Sequence, residues 1–102
     1  MSLVEVGEYI ELEDQQRKCI RLGGIDIALL FVNTSFYAIE NVCPHEGGPV
    51  GEGEINGQKI TCPWHGAVFD IENGALISGP AEEPLRCFPI LKRNGRVFVE
   101  LP

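Results

Sequence analysis

Two short stretches constrain this chain more than any other feature: Cys43-Pro44-His45-Glu46-Gly47-Gly48 and its echo, Cys62-Pro63-Trp64-His65-Gly66. Each places one thiol and one imidazole on a glycine-flanked loop, which suits a two-iron cluster in which one iron takes sulfur ligands and the other nitrogen. The pattern is C-x-H, sixteen intervening residues, then C-x-x-H. A zinc site of two cysteines and two histidines usually runs Cys, Cys, His, His, each like pair closing one side of a single ion. Here the types alternate, so each loop bridges two metal positions, and the order favours [2Fe–2S] over zinc.

On these residues the chain resembles a Rieske-type ferredoxin, with Cys43, His45, Cys62 and His65 matching the family's four ligands. The likeness is densest from about Val42 to Leu85, including the run Cys62-Pro-Trp-His-Gly-Ala-Val-Phe-Asp, and the remainder is compatible in length. The resemblance implies a Rieske fold holding one [2Fe–2S] cluster, with a cluster-binding subdomain at about residues 41 to 80 inserted in a base domain. It also implies a component of a bacterial aromatic-ring-hydroxylating dioxygenase system.

A chain of 102 residues is expected to be one domain that leans on its metal for part of its stability. No apolar run approaches the roughly eighteen residues needed to cross a bilayer. The start, Met1-Ser2-Leu3-Val4-Glu5, lacks the regions of a signal peptide. We therefore expect a cytoplasmic monomer with no membrane contact. A net charge of −7 argues against nucleic acid, because phosphate neutralisation needs basic residues this chain does not gather. An acidic surface suits basic protein partners instead. The remaining cysteines, Cys19 and Cys87, lie in apolar, strand-like surroundings and read as buried free thiols rather than a disulfide.

The reading is all-β, a sandwich or barrel of antiparallel sheets. Leu3 to Val6 alternates as a strand, and the acidic stretch from Gly7 to Gln16 reads as loop-like. Arg17 to Leu22 and Ile25 to Val32 are joined by Gly23-Gly24, a strong hairpin signal. Asn33-Thr34-Ser35 turns the chain into Phe36 to Ile39, which delivers the first loop. Asn56-Gly57 is expected as a type I′ turn into Gln58 to Thr61, which leads into Cys62. Ala67 to Ile71 follows as a strand, and Ser78-Gly79-Pro80 resembles the proline loop that covers one side of the cluster in this family. Cys87 to Leu91 and Arg96 to Leu101 are expected to pair across Lys92-Arg93-Asn94-Gly95. No segment shows helical spacing over three turns.

Replacing two thiolates by neutral imidazoles leaves the oxidised cluster formally uncharged, so adding an electron costs less than in a four-thiolate cluster. Hydrogen bonds to the sulfurs decide how far the potential rises. High-potential members of the family have cysteines, linked by a disulfide, where this chain has Gly48 and Trp64. They also have serine and tyrosine hydroxyls where it has Ala67 and Phe69. The resemblance thus implies a low-potential member. Gly47, Gly48 and Gly66 are expected to bring the backbone close and turn N–H groups toward sulfur. Trp64 either packs over the cluster, the reading we favour, or presents an aromatic contact to a redox partner.

Oxygen activation at a mononuclear iron needs two histidines and a carboxylate, but the only histidines are His45 and His65, and the cluster uses both. The chain is therefore not expected to be an enzyme. The resemblance implies a one-electron carrier between an NAD(P)H-dependent flavin reductase and a terminal ring-hydroxylating dioxygenase. Two alternatives stand beside it: a Rieske small subunit of a larger oxidoreductase such as assimilatory nitrite reductase, and a zinc-stabilised interaction module.

Overall fold

Hairpin chemistry builds the centre of the molecule. In the computed structural model, which describes residues 2–44, 47–64, 66–79 and 83–102, β2 (Arg17–Leu22), β3 (Ile25–Val32) and β4 (Ser35–Glu40) form the expected meander. Its two turns are Gly23-Gly24, with φ of 54° and 79°, and Asn33-Thr34, with φ of 49° and 65°. Positive φ at both central residues marks the type I′ turn, whose twist matches the flanking strands. Glycine takes that conformation freely, whereas β-branched Thr34 is strained in it.

The meander gains a fourth strand, β9 (Cys87–Phe88), beside β4. A second antiparallel sheet has the order β1 (Ser2–Glu8), β11 (Arg96–Leu101), β10 (Ile90–Arg93). The third contains β5 (Glu54–Asn56), β6 (Lys59–Thr61), β7 (Val68–Asp70) and β8 (Leu76–Ser78) in chain order. Strand β3 is the wall between two cores. Ile27 and Leu29 pack with Val6, Phe36, Val97 and Val99, while Ala28 and Leu30 face the core that holds Cys43, Val50, Cys62 and Phe69. A strand covered on both faces has no polar alternation, which is why Ile27-Ala28-Leu29-Leu30 is apolar without interruption.

Three expectations need correction. The acidic stretch contains a helix, α1 (Tyr9–Gln15), anchored by buried Leu12 and by Tyr9, whose ring meets Phe36 edge-on with centroids 5.1 Å apart. Two turns are too few for periodicity to reveal. Gln16, at φ 65°, ends the helix by donating its N–H to the Leu12 carbonyl at 3.0 Å. Next, Cys87 to Leu91 is not one strand. Pro89 has no N–H to give a ladder, and the chain changes sheets there, Phe88 pairing with Ala38 and Ile90 with Val99. Finally, Asn56 pairs with Lys59, so the β5–β6 turn is Gly57-Gln58. Only Gly57 has positive φ, 63°, the pattern of a II′ rather than an I′ turn.

Candidate metal centre

The two cysteine loops are one backbone device used twice. In the first, Cys43 donates its N–H to the Gly48 carbonyl at 2.8 Å, and Gly47 donates to the Cys43 carbonyl at 2.8 Å. In the second, Cys62 donates to the Ala67 carbonyl at 2.8 Å, and Gly66 donates to the Cys62 carbonyl at 3.0 Å. Each loop thus closes on its own cysteine through the residues four and five positions on. The fourth residue is glycine in both, with φ of 78° at Gly47 and 77° at Gly66, a conformation other residues adopt at a cost. These N–H groups were expected to point toward sulfur. Those of Gly47 and Gly66 are committed to the cysteine carbonyls instead, so they shape the loops.

Both thiols are buried, Cys43 at 3% and Cys62 at 2% exposure, in one core with Val50, Ile60, Ala67 and Phe69. The loops touch at Gly48. A β-carbon there would lie 3.1 Å from Cys62 Sγ and 2.9 Å from Cγ and Cδ2 of Trp64. Trp64 therefore rests one part of its ring on the first loop while 57% of its surface stays exposed. Gly79 closes on the second loop: at φ 105°, a β-carbon on it would sit 2.6 Å from the Ala67 Cα. Pro80, at the centre of the expected proline loop, lies outside the described residues. So do His45 and His65, expected from the sequence as the two nitrogen ligands, and Glu46.

What is described fits an iron–sulfur group on the sulfur side. Two buried cysteines stand on matched, touching loops, and soft thiolate donors suit iron–sulfur clusters. Bound there, such a cluster supplies one-electron redox chemistry. The chain's part is to hold it on the sulfur side against an apolar core: Ala67 and Phe69 are both fully buried and carry no side-chain donor.

Comparison with known proteins agrees with this geometry. Residues 2–89 match the Rieske [2Fe-2S] domain family. This chain belongs to that family. The Rieske chain is 35% identical over 83 residues to ferredoxin CarAc of Metapseudomonas resinovorans, covering 81% of itself and 78% of the relative. It is 34% identical over 89 residues to human apoptosis-inducing factor 3, of which it spans only 15%. Among solved structures, it superposes with a TM-score of 0.85 and 30% identity on a chain of the complex of reduced oxygenase and oxidized ferredoxin in carbazole 1,9a-dioxygenase, covering 95% of itself and all of that chain. Other relatives are named as the ferredoxin components of p-cumate 2,3-dioxygenase and naphthalene 1,2-dioxygenase systems of Pseudomonas putida.

Elsewhere in the Rieske chain, the two other cysteines are not the buried pair expected. Both are free thiols, but Cys19 is exposed on edge strand β2 and Cys87 is half-buried. Strand β2 alternates, and Cys19 falls on its outer face. Partial burial raises the Cys19 pKa, helped by Glu52 and opposed by Arg17. Burial and then Asp70 raise that of Cys87.

Charge is distributed unevenly. Residues 40–83 hold eight of the fifteen carboxylates and one of the eight basic side chains, so the rest of the chain is neutral and the whole net charge of −7 belongs to this segment. No described helix is long and apolar enough to cross a membrane. Sequence reading passed over Arg17 and Asn41, whose side chains bond to the segment between the loops. The Arg17 partners lie 34 and 36 residues away, a separation no local pattern signals.

Proposed function

We propose that this protein is a one-electron carrier of a ring-hydroxylating dioxygenase system, taking electrons from an NAD(P)H-dependent flavin reductase and passing them to a terminal oxygenase. In this reading Cys43, His45, Cys62 and His65 hold one [2Fe–2S] cluster in a subdomain of about residues 41 to 80, within a single-domain, cytoplasmic monomer. The observation that carries it is the pair of matched loops, touching at Gly48, that bury Cys43 and Cys62. The likeness to CarAc and to a chain of the carbazole oxygenase–ferredoxin complex that is matched over its whole length supports a free carrier over a fixed subunit of a larger enzyme.

The test is spectroscopic. The purified protein is expected to be red-brown, and its reduced form to give a rhombic electron paramagnetic resonance signal with an average g below that of four-cysteine [2Fe–2S] ferredoxins. Changing any one of Cys43, His45, Cys62 or His65 to alanine should abolish it. A colourless protein with stoichiometric zinc would defeat the proposal, and gel filtration of a cell extract separates a free carrier from a fixed subunit.

A further inference from the structure

The side chain of Arg17 crosses from the edge of the central sheet to the segment joining the two cysteine loops. Its Nη1 donates two hydrogen bonds, to the Gly51 carbonyl at 2.9 Å and the Gly53 carbonyl at 2.7 Å. These oxygens lie at the end of the 3-10 turn Val50–Glu52, where backbone carbonyls have no partner within the turn. A guanidinium meets that need well, because bonds from a charged donor are stronger than neutral ones and the end of a helical turn is partly negative.

Asn41 grips the same turn by the amide of Gly51 rather than its carbonyl. Its Oδ1 accepts the Gly51 N–H at 2.6 Å, while its own N–H donates to the Asp26 carbonyl at 2.8 Å. The turn has little room to shift: a β-carbon on Gly51 would overlap that of Ala28, and one on Gly53 would overlap the Thr61 carbonyl oxygen. Asn41 stands two residues before Cys43, and Thr61 directly precedes Cys62. The neighbouring basic side chains on β2 go elsewhere, Arg21 to Asp26 at 2.9 Å and Lys18 to the Val6 carbonyl at 3.5 Å.

We infer that Arg17, helped by Asn41, is a positioning residue for the metal centre: by holding both carbonyls that end the 3-10 turn, it fixes the spacing of the loops that carry Cys43 and Cys62. The inference rests on the proposed cluster. Groups that hydrogen-bond a metal's ligands directly change metal affinity by about 10- to 100-fold. Acting through the turn, Arg17 belongs near the lower end.

The experiment compares holoprotein of wild type, Arg17→Gln, Arg17→Lys, Arg21→Gln and Val99→Ala. The readouts are the rate at which a chelator bleaches the cluster, well below the unfolding temperature, and the width of the reduced resonance signal. Arg17→Gln should bleach about tenfold faster and give a broader signal, with Arg17→Lys recovering part of both. Arg21→Gln should match wild type. Val99→Ala, in the opposite core, should unfold at lower temperature yet keep the wild-type bleaching rate and line shape. If Arg17→Gln yields no holoprotein, Asn41→Leu carries the same comparison. Wild-type behaviour in the turn variants, or equal acceleration by Val99→Ala, would overturn the inference. A wild type that assembles no cluster would instead overturn the proposed function.

Discussion

Gly48 and Trp64 face each other across the two cysteine loops, with ring carbons of Trp64 2.9 Å from where a Gly48 β-carbon would stand. These are the two positions at which, by the family resemblance, high-potential members carry a disulfide. The structure therefore brings them together, here through an indole resting on a bare backbone. Gly48 does not have positive φ, so only space forbids a side chain there. Gly48→Ala is expected to cost about 1–3 kcal/mol by overpacking and to loosen cluster retention. In Gly47→Ala the new β-carbon would meet Val42 Cγ1 at 4.0 Å, an ordinary contact, but at a φ of 78°, so its cost of about 1–2 kcal/mol comes from backbone strain. Trp64 is the only tryptophan, so its fluorescence reports the contact directly. Emission should shift in Gly48→Ala and not in Gly47→Ala, and an unchanged spectrum in both would show that the indole does not depend on the bare backbone.

The potential should lie toward the low end of the Rieske range, about −150 mV. Ala67 and Phe69 are fully buried beside the cysteines and offer no hydroxyl. Ala67→Ser and Phe69→Tyr supply donors. A hydroxyl bond to a charged acceptor is worth about 1.5–3 kcal/mol. We take about 1 kcal/mol of it as favouring the reduced state, or roughly 40 mV per donor at 59 mV per tenfold change. Protein-film voltammetry should find the double variant harder to oxidise by several tens of millivolts. A wild-type potential well above zero, or no upward shift in correctly assembled variants, would show that missing donors do not set it.

Docking should be steered by charge. Glu40, Glu52, Glu54, Asp70 and Glu72 lie in or beside the cluster segment, with Lys59 its one base by sequence and Arg17 reaching it from β2, and Glu46 adds to them by sequence. Such a one-signed region can raise association rates by about tenfold or more at low salt. Second-order reduction by the cognate reductase should therefore slow as ionic strength rises to physiological values. Rates indifferent to salt would remove the steering role.

The thiols outside the loops should resist alkylation near neutral pH. A raised pKa keeps Cys19 and Cys87 protonated where an ordinary thiol begins to ionise, so iodoacetamide should react slowly and accelerate only above the usual thiol range. Exposed Cys19 should react before half-buried Cys87, as Cys19→Ser and Cys87→Ser would assign. The sign for stability follows: with the folded pKa raised, the unfolded chain ionises first, so this contribution is full below the ordinary thiol pKa and declines as pH rises through the raised values. Cys19 alkylating as fast as a free thiol at neutral pH would contradict the shift.

The paired cysteine–histidine motifs, the family and the antiparallel meander were legible in the sequence alone, because each is written locally. Cys43 and Cys62 sit in motifs a few residues long, and Gly23-Gly24 states its turn through backbone freedom that needs no distant partner. The tertiary structure decided what depends on contacts far apart in sequence. It made β3 a wall between two cores, and it moved the chain from one sheet to another at Pro89. It left Cys19 exposed on an outer strand face between Arg17 and Arg21, and it joined Arg17 to carbonyls more than thirty residues away. Burial and long-range hydrogen bonds are properties of the packed chain. A residue's immediate neighbours fix its preferred φ and its place in a strand, but not which other strand covers it.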